Sequence, residues 1–290
     1  MKRVPEIVLT PRQSRVLSRC QADRGDLASI EAGVLQPGGF HESLDDLLAT
    51  TGVHGRAAAL WAAHDHFVIR GVPASKDGVT GLLLARAFFS ELKSYRGERV
   101  IKHFTMSPWT TALSHTLADG VFHTDLNTAE RPPAATVMQC LRPDPAAPRY
   151  GQLRVLRLSD LLDALRHRGE TKALRLLTQD HVSMVNDATP GCWSGRITDG
   201  HEIRFHPETL RAAQRRYGNN PADLDECLDS IHETALSVSA PIDLVSGEML
   251  LVSNRRALHH RNACTVRFRS FPHEFDTRAV AVLHAVGEPT

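Results

Sequence analysis

The sequence predicts an α+β chain in which helices flank a β-sandwich or jelly-roll core. Three observations carry this. The apolar runs that read as strands are short and bounded by Gly, Pro, Asn or Asp. Helix-period stretches are grouped before and between them, without regular βαβ alternation. No Gly-x-Gly-x-x-Gly follows a strand, and neither a P-loop nor a Gly-x-Ser-x-Gly pattern is present, which argues against a Rossmann domain and the common hydrolase layout.

In order along the chain, residues 1 to about 35 read as helical. Thr10-Pro11 supplies an N-cap and a first-turn proline. Gln36-Pro37-Gly38-Gly39 is a turn cluster. Leu44, Leu47 and Leu48 recur at helical spacing over 43–49, and a second short helix is expected over 56–64. His66 to Pro73 is a strand closed by Gly and Pro. Residues 77–92 form a helix whose Leu82, Leu83, Leu84, Ala87, Phe88 and Phe89 make a core face. Further strands are expected at 98–104, 134–141, 151–156, 181–185 and 202–206. Helices are expected at 159–167, capped by Ser159, and at 171–177. A loop over 189–195 carries Trp193. Helices follow at 207–217 and 220–236, the latter entered through Asn220-Pro221. The chain closes with strands at 238–244, 249–253, 265–271 and 279–285. The domain reading is one unit, 1–290. Its N-terminal flank, 1–65, is mainly helical, and its core, 66–290, contains a helical insertion at about 207–236.

Composition narrows the function. A formal charge of +1, 42% hydrophobic and 23% charged residues describe an ordinary globular chain. Neither nucleic acid nor an anionic membrane is indicated as a partner. The five cysteines are odd in number and lack C-x-x-C spacing, which fits reduced thiols and a cytoplasmic location. No signal peptide or membrane span is read from the apolar pattern. The expected partner is a small-molecule substrate, and the oligomeric state is left open.

Two stretches carry chemistry. The first is Phe122-His123-Thr124-Asp125-Leu126-Asn127. In an extended segment residues two apart share a face and lie about 7 Å apart, so His123 and Asp125 would project together. One imidazole and one carboxylate are two of the three ligands of a facial non-haem Fe(II) site. The second stretch is Gly247-Glu248-Met249-Leu250-Leu251-Val252-Ser253-Asn254-Arg255-Arg256-Ala257-Leu258-His259-His260-Arg261, an apolar strand behind a turn glycine that ends in histidines.

Taken together, these resemble the Fe(II)/2-oxoglutarate dioxygenases of the taurine dioxygenase and clavaminate synthase-like superfamily. The most specific parts are His-Thr-Asp, the Arg131-Pro132-Pro133 after it, and Asn-Arg-Arg-Ala-Leu-His. The similarity runs from about Phe67 to Leu283. It implies a distorted double-stranded β-helix and the ligands His123, Asp125 and His259. His260 stands where the family has Gly, and Arg261 matches the family's Arg after it. For the 2-oxoglutarate carboxylate the resemblance points to Arg278, within Asp276-Thr277-Arg278. Arg267 and Arg269 are rivals on a presumed insertion. The family's Gly-x-Thr contact is replaced by Gly151-Gln152-Leu153.

The implied cofactors are Fe(II), 2-oxoglutarate as co-substrate and O2. The implied reaction couples oxidative decarboxylation to hydroxylation of an unactivated C–H, in an amino acid or an amino-acid-derived intermediate. Asp125 at the acid position argues against the halogenases of the superfamily, which hold Gly or Ala there. A desaturase or cyclase using the same iron, and a catalytically silent jelly-roll binding protein, are the alternative readings. For the substrate, Asn127, Arg204, Trp193 and Phe122 are candidates. Each also has a plain structural reading: a turn, a salt bridge, a surface loop and core packing. His103, His115, His181 and His206 have no usable partner spacing and read as structural.

Overall fold

The apolar runs at the heart of the chain are continuous rather than alternating, as expected for strands covered on both faces. The structure, a computed structural model, describes residues 4–22, 26–36, 48, 52–186 and 191–289. The turn cluster at 37–39, the 43–49 helix apart from Leu48, and the 189–190 start of the Trp193 loop lie outside the described residues.

The described elements are β1 (Glu6–Val8), α1 (Pro11–Ala22), α2 (Leu27–Leu35), α3 (Val53–His64), β2 (His66–Arg70), α4 (Val79–Phe88), β3 (Lys102–Thr105), β4 (Ala135–Arg142) and β5 (Leu153–Arg157). They continue with α5 (Leu158–Arg168), α6 (Thr171–Thr178), β6 (His181–Val185), β7 (Cys192–Arg196), α7 (Pro207–Tyr217) and α8 (Leu224–Val238). The chain ends with β8 (Ala240–Ile242), β9 (Met249–Ser253), β10 (Ala257–Arg261), β11 (Val266–Ser270), β12 (Glu274–Thr277) and β13 (Ala279–Ala285).

A six-stranded sheet has the order β1-β2-β9-β4-β13-β3, and a three-stranded sheet the order β10-β5-β8. Among the described residues the sheets do not close into a barrel. Strand alternation sorts the side chains between two cores. Phe67, Ile69, Met249, Leu251, Ala281 and Leu283 pack with the N-terminal helices around Trp61 and Phe88. Their neighbours Val68, Leu250, Val252, Val280 and Val282 face the small sheet and meet Leu153, Val155 and Ala257. A third core joins α5 to α8 with Phe122 and Leu258. Gly247 turns the chain into β9 at φ +93°, where a Cβ would lie 2.2 Å from the Val72 carbonyl.

Several elements differ from expectation. Residues 6–8 form a strand because Glu6–Val8 pair in parallel with Val68–Arg70. Helix α1 does start at Pro11, where Thr10 and Gln13 cap each other reciprocally, Thr10 N to Gln13 Oε1 at 2.6 Å and Gln13 N to Thr10 Oγ1 at 3.3 Å. Ser159 lies inside α5 rather than capping it. Asn220 does not cap α8. Its buried amide instead ties Ser183 to Leu210, accepting from Ser183 N at 2.8 Å and donating to both carbonyls. Most of the loop around Trp193 is strand β7, paired with β6. Residues 202–206 are not a strand, and only Ile203 bridges to Thr198. Among the described residues, no helix is long and apolar enough to cross a membrane.

Candidate metal centre

Strand β10 carries two adjacent histidines that alternation sends to opposite sides. His259 is met by the His-x-Asp segment through a single antiparallel bridge, His123 N to His259 O at 3.0 Å and His259 N to His123 O at 3.1 Å. After that bridge the chain turns away at Leu126, which takes φ +51°. A branched side chain there costs about 1–2 kcal/mol. The turn is held by Asn254, which follows β9. Asp125 N donates to Asn254 Oδ1 at 2.6 Å, and Asn254 Nδ2 donates to the carbonyls of Asp125 and Pro133 at 3.0 and 3.1 Å.

The result is that one ligand atom each from His123, Asp125 and His259 lies within 4.8 Å of the others. His123 Nε2 is 3.5 Å from Asp125 Oδ1, and His259 Nε2 is 3.5 Å from Asp125 Oδ2. His123 Nδ1 sits 2.8 Å from the Val121 carbonyl, which makes Nδ1 a donor and turns Nε2 toward the carboxylate. His259 Nδ1 is buried without a hydrogen-bond partner among the described residues. Burial raises the Asp125 carboxyl, but the charge of His259 and hydrogen bonds from His123, His259 and His284 outweigh it and hold it well below its ordinary value. Burial lowers His123, but Asp125 outweighs it, and His123 ends above its ordinary value. Burial also lowers His259. Two imidazole nitrogens and one carboxylate converging on one point are a donor set that fits Fe(II).

His260 points the other way. It stacks on Phe122, with ring centroids 4.8 Å apart and planes at 22°. Both its ring nitrogens are buried and unpartnered among the described residues, and burial drives it down to about 4. Arg278 is 4% exposed. Its guanidinium makes no hydrogen bond or ion pair with any described residue, and burial lowers it. It packs against Gly151, where an added Cβ would lie 2.9 Å from Arg278 Cδ. Arg267 and Arg269 share one face, as strand alternation requires, but both are exposed and both pair with Asp276.

The proposed substrate residues are dispersed. Phe122 is fully buried in the helical core. Asn127 is buried too, and its amide donates to Thr209 Oγ1 at 2.6 Å. Arg204 lies with its guanidinium 4.8 Å over the Trp193 ring and donates to the Ala129 carbonyl at 3.1 Å. Trp193 and Arg204 line a cleft of about 660 Å³ whose wall includes Thr124 and Asn254 but none of the three ligands.

Four residues lie near the ligands that the sequence does not assign to the site; three carry no reading there, and His206 reads as structural. His206 lies with its ring 4.9 Å from that of His123, and burial takes it down to about 3. Its Nδ1 accepts from Glu208 N at the start of α7. Thr136, His284 and, behind His284, Tyr95 gather on Asp125. A lone polar residue in an apolar strand, as His284 is in β13, was the available signal.

Residues 37–270 match the family described as taurine catabolism dioxygenase TauD, TfdA family. The chain belongs to the TauD/TfdA dioxygenase family. This dioxygenase therefore uses Fe(II) and 2-oxoglutarate to oxidise a small molecule. The matched stretch holds His123, Asp125 and His259, while Arg278 lies beyond it. In fold this TauD/TfdA member is similar to an asparagine oxygenase in complex with Fe(II), 2S,3S-3-hydroxyasparagine and succinate, at a TM-score of 0.69 and 13% identity over 97% of this chain and 93% of that one. It is also similar to the non-haem iron oxygenase OrfP in complex with Fe and alpha-ketoglutaric acid, at 0.61 and 14% over 98% and 94%. A further OrfP structure, with Fe, succinate and (3S)-hydroxy-L-Arg, gives 0.61 and 13% over 98% and 94%. Among curated protein sequences, none matches the chain.

Proposed function

We propose that His123, Asp125 and His259 hold the iron, that Arg278 receives the distal carboxylate of 2-oxoglutarate, and that the substrate hydroxylated is an amino acid or a close derivative. The observation that carries the reading is the convergence of three ligand atoms within 4.8 Å. The two facing sheets fit a distorted double-stranded β-helix. We read residues 1–290 as one domain, with the helices from α5 to α8 set between its strands. All five cysteines are free thiols, in keeping with a reducing, cytoplasmic setting.

Iron bound by these residues would supply oxidative chemistry in which 2-oxoglutarate is decarboxylated to succinate and CO2, one oxygen atom of O2 entering succinate and the other the hydroxylated substrate. The chain's own residues bind and orient. Val121 fixes the His123 tautomer, and Asn254 fixes the Asp125 backbone. A planar guanidinium suits a carboxylate in a buried pocket better than an ammonium does. His206 is uncharged, and with Nδ1 accepting from Glu208 N its Nε2–H is available as a donor beside His123. The amino-acid reading is supported by the hydroxyasparagine and hydroxyarginine complexes of the proteins similar in fold.

Metal should also stabilise the fold, because only the folded chain presents this half-buried carboxylate and two imidazoles together to a cation. At one hundred times its dissociation constant, Co(II) or anaerobic Fe(II) is expected to add about 2.7 kcal/mol. This appears as a rise of several degrees in melting temperature that a chelator reverses. An unchanged melt at saturating metal would count against the site.

Substrate class is tested by succinate release over free amino acids and simple derivatives, repeated with Arg204→Ala and His206→Ala. One amino acid should stimulate turnover well above the uncoupled rate, and His206→Ala should raise its KM. If only a nucleoside, a sugar or an alkylsulfonate stimulates turnover, the substrate class is wrong although the iron chemistry stands.

A further inference from the structure

The carboxylate of Asp125 is held unevenly. Its Oδ2 accepts from Thr136 Oγ1 at 2.7 Å, lies 3.1 Å from His284 Nε2 and also 3.5 Å from His259 Nε2. Its Oδ1 meets only His123 Nε2, at 3.5 Å, among the described residues. An ionised carboxylate is acceptor only, so His284 Nε2 carries the proton and His284 Nδ1 is the acceptor. Tyr95 hydroxyl is hydrogen-bonded to that Nδ1, so the direction of the whole chain is fixed. Tyr95 O–H donates to His284, and His284 N–H donates to Asp125. Lys102 Nζ lies 3.8 Å over the Tyr95 ring and orients it from the far face. His284 itself is 3% exposed on β13, opposite Thr136 on β4. The two donors to Oδ2 thus come from directly paired positions of the large sheet.

This matters for how many positions the metal keeps open. Three protein ligands leave three sites of an octahedron only if the carboxylate binds through one oxygen. Bound through two, it would leave two sites, too few for a chelating keto acid and oxygen together. We propose that His284, supported by Tyr95 and aided by Thr136, is the positioning residue that engages Oδ2 and so makes Asp125 a one-oxygen ligand through Oδ1. The inference rests on the metal-centre reading above and goes one layer beyond its ligands. Outer partners of this kind typically contribute 10–100-fold to metal affinity.

The test uses anaerobic Co(II) titration of the full-length protein. The readouts are the dissociation constant, the visible cobalt bands, which change with coordination number, and the 2-oxoglutarate chelate band of the Fe(II) form. His284→Leu should weaken metal binding roughly 10–100-fold, shift the cobalt bands toward higher coordination and reduce the chelate band. His284→Gln places an amide N–H near the same point and should restore most of the affinity. Tyr95→Phe, at a half-exposed position, should cost a smaller factor, about 2–5-fold, with bands shifted in the same direction. Circular dichroism melts establish that each variant is folded. Should His284→Leu misfold, Tyr95→Phe with unchanged affinity and bands overturns the proposal. Folded His284→Leu with the unaltered protein's affinity and bands also overturns it. So does folded His284→Gln that is no better than His284→Leu, since that would make the imidazole a space-filler. If the unaltered protein itself binds neither Co(II) nor Fe(II), the metal-centre reading fails first, and that outcome is distinct from the others.

Discussion

Replacing His259 by alanine is expected to abolish metal binding and turnover, while replacing its neighbour His260 leaves the metal in place. The two residues are adjacent and of the same type, so composition does not tell one from the other. They differ in direction. His259 Nε2 faces Asp125 at 3.5 Å, whereas His260 stacks on Phe122 in the helical core. Structural zinc sites hold their metal by about 10–16 kcal/mol over four protein ligands, roughly 2.5–4 kcal/mol each; by that measure loss of one of the three ligands in His259→Ala should weaken binding roughly 10²–10³-fold. His260→Ala should instead lower stability, because it empties a stacked site beside Phe122, although removing two unpartnered buried nitrogens offsets part of that loss. Metal titration and a denaturant melt read the two effects separately. Metal lost from His260→Ala and kept by His259→Ala would reverse the assignment.

The second large effect is expected at Arg278. A guanidinium that is 4% exposed and pairs with no described residue is costly in the free protein. The same cost makes it a strong receptor for a carboxylate. Arg278→Met should raise the KM for 2-oxoglutarate by the worth of a buried charge pair, about 2–5 kcal/mol. It should simultaneously stabilise the ligand-free protein, by about 1–4 kcal/mol if it follows buried ion pairs replaced by apolar residues of similar volume. Opposite signs in two measurements separate this role from simple packing. Gly151→Ala should act in the same direction on KM, because the new Cβ meets Arg278 Cδ at 2.9 Å. An Arg278→Met protein with unaltered KM, and Arg267→Met or Arg269→Met with a raised one, would move the anchor to the exposed hairpin of β11 and β12.

Much of this molecule was legible in the sequence because its signals are local. The strands β6, β9 and β13 have the expected limits, since short, mainly apolar runs between turn residues leave little choice. The Thr10-Pro11 entry to α1 is local too. The His-x-Asp and Asn-Arg-Arg-Ala-Leu-His stretches identified the iron-oxygenase family and singled out three residues as one group. What the sequence left undecided depends on pairing between distant segments. Strand β1 exists only because β2 lies beside it, and Asn220 serves β6 rather than the helix after it. Phe122 points into the core because it alternates with His123 on the bridged segment, and Asn127 is buried beyond the turn at Leu126. His206, Thr136, His284 and Tyr95 reach the ligands from four separate segments, so no spacing along the chain announces them. The sequence alone determined the family, the chemistry and the identity of the ligand types. The tertiary structure decided which histidine of the pair faces Asp125, and which side chains hold that carboxylate, because direction on a strand and contact across a sheet are set by register between segments more than one hundred residues apart.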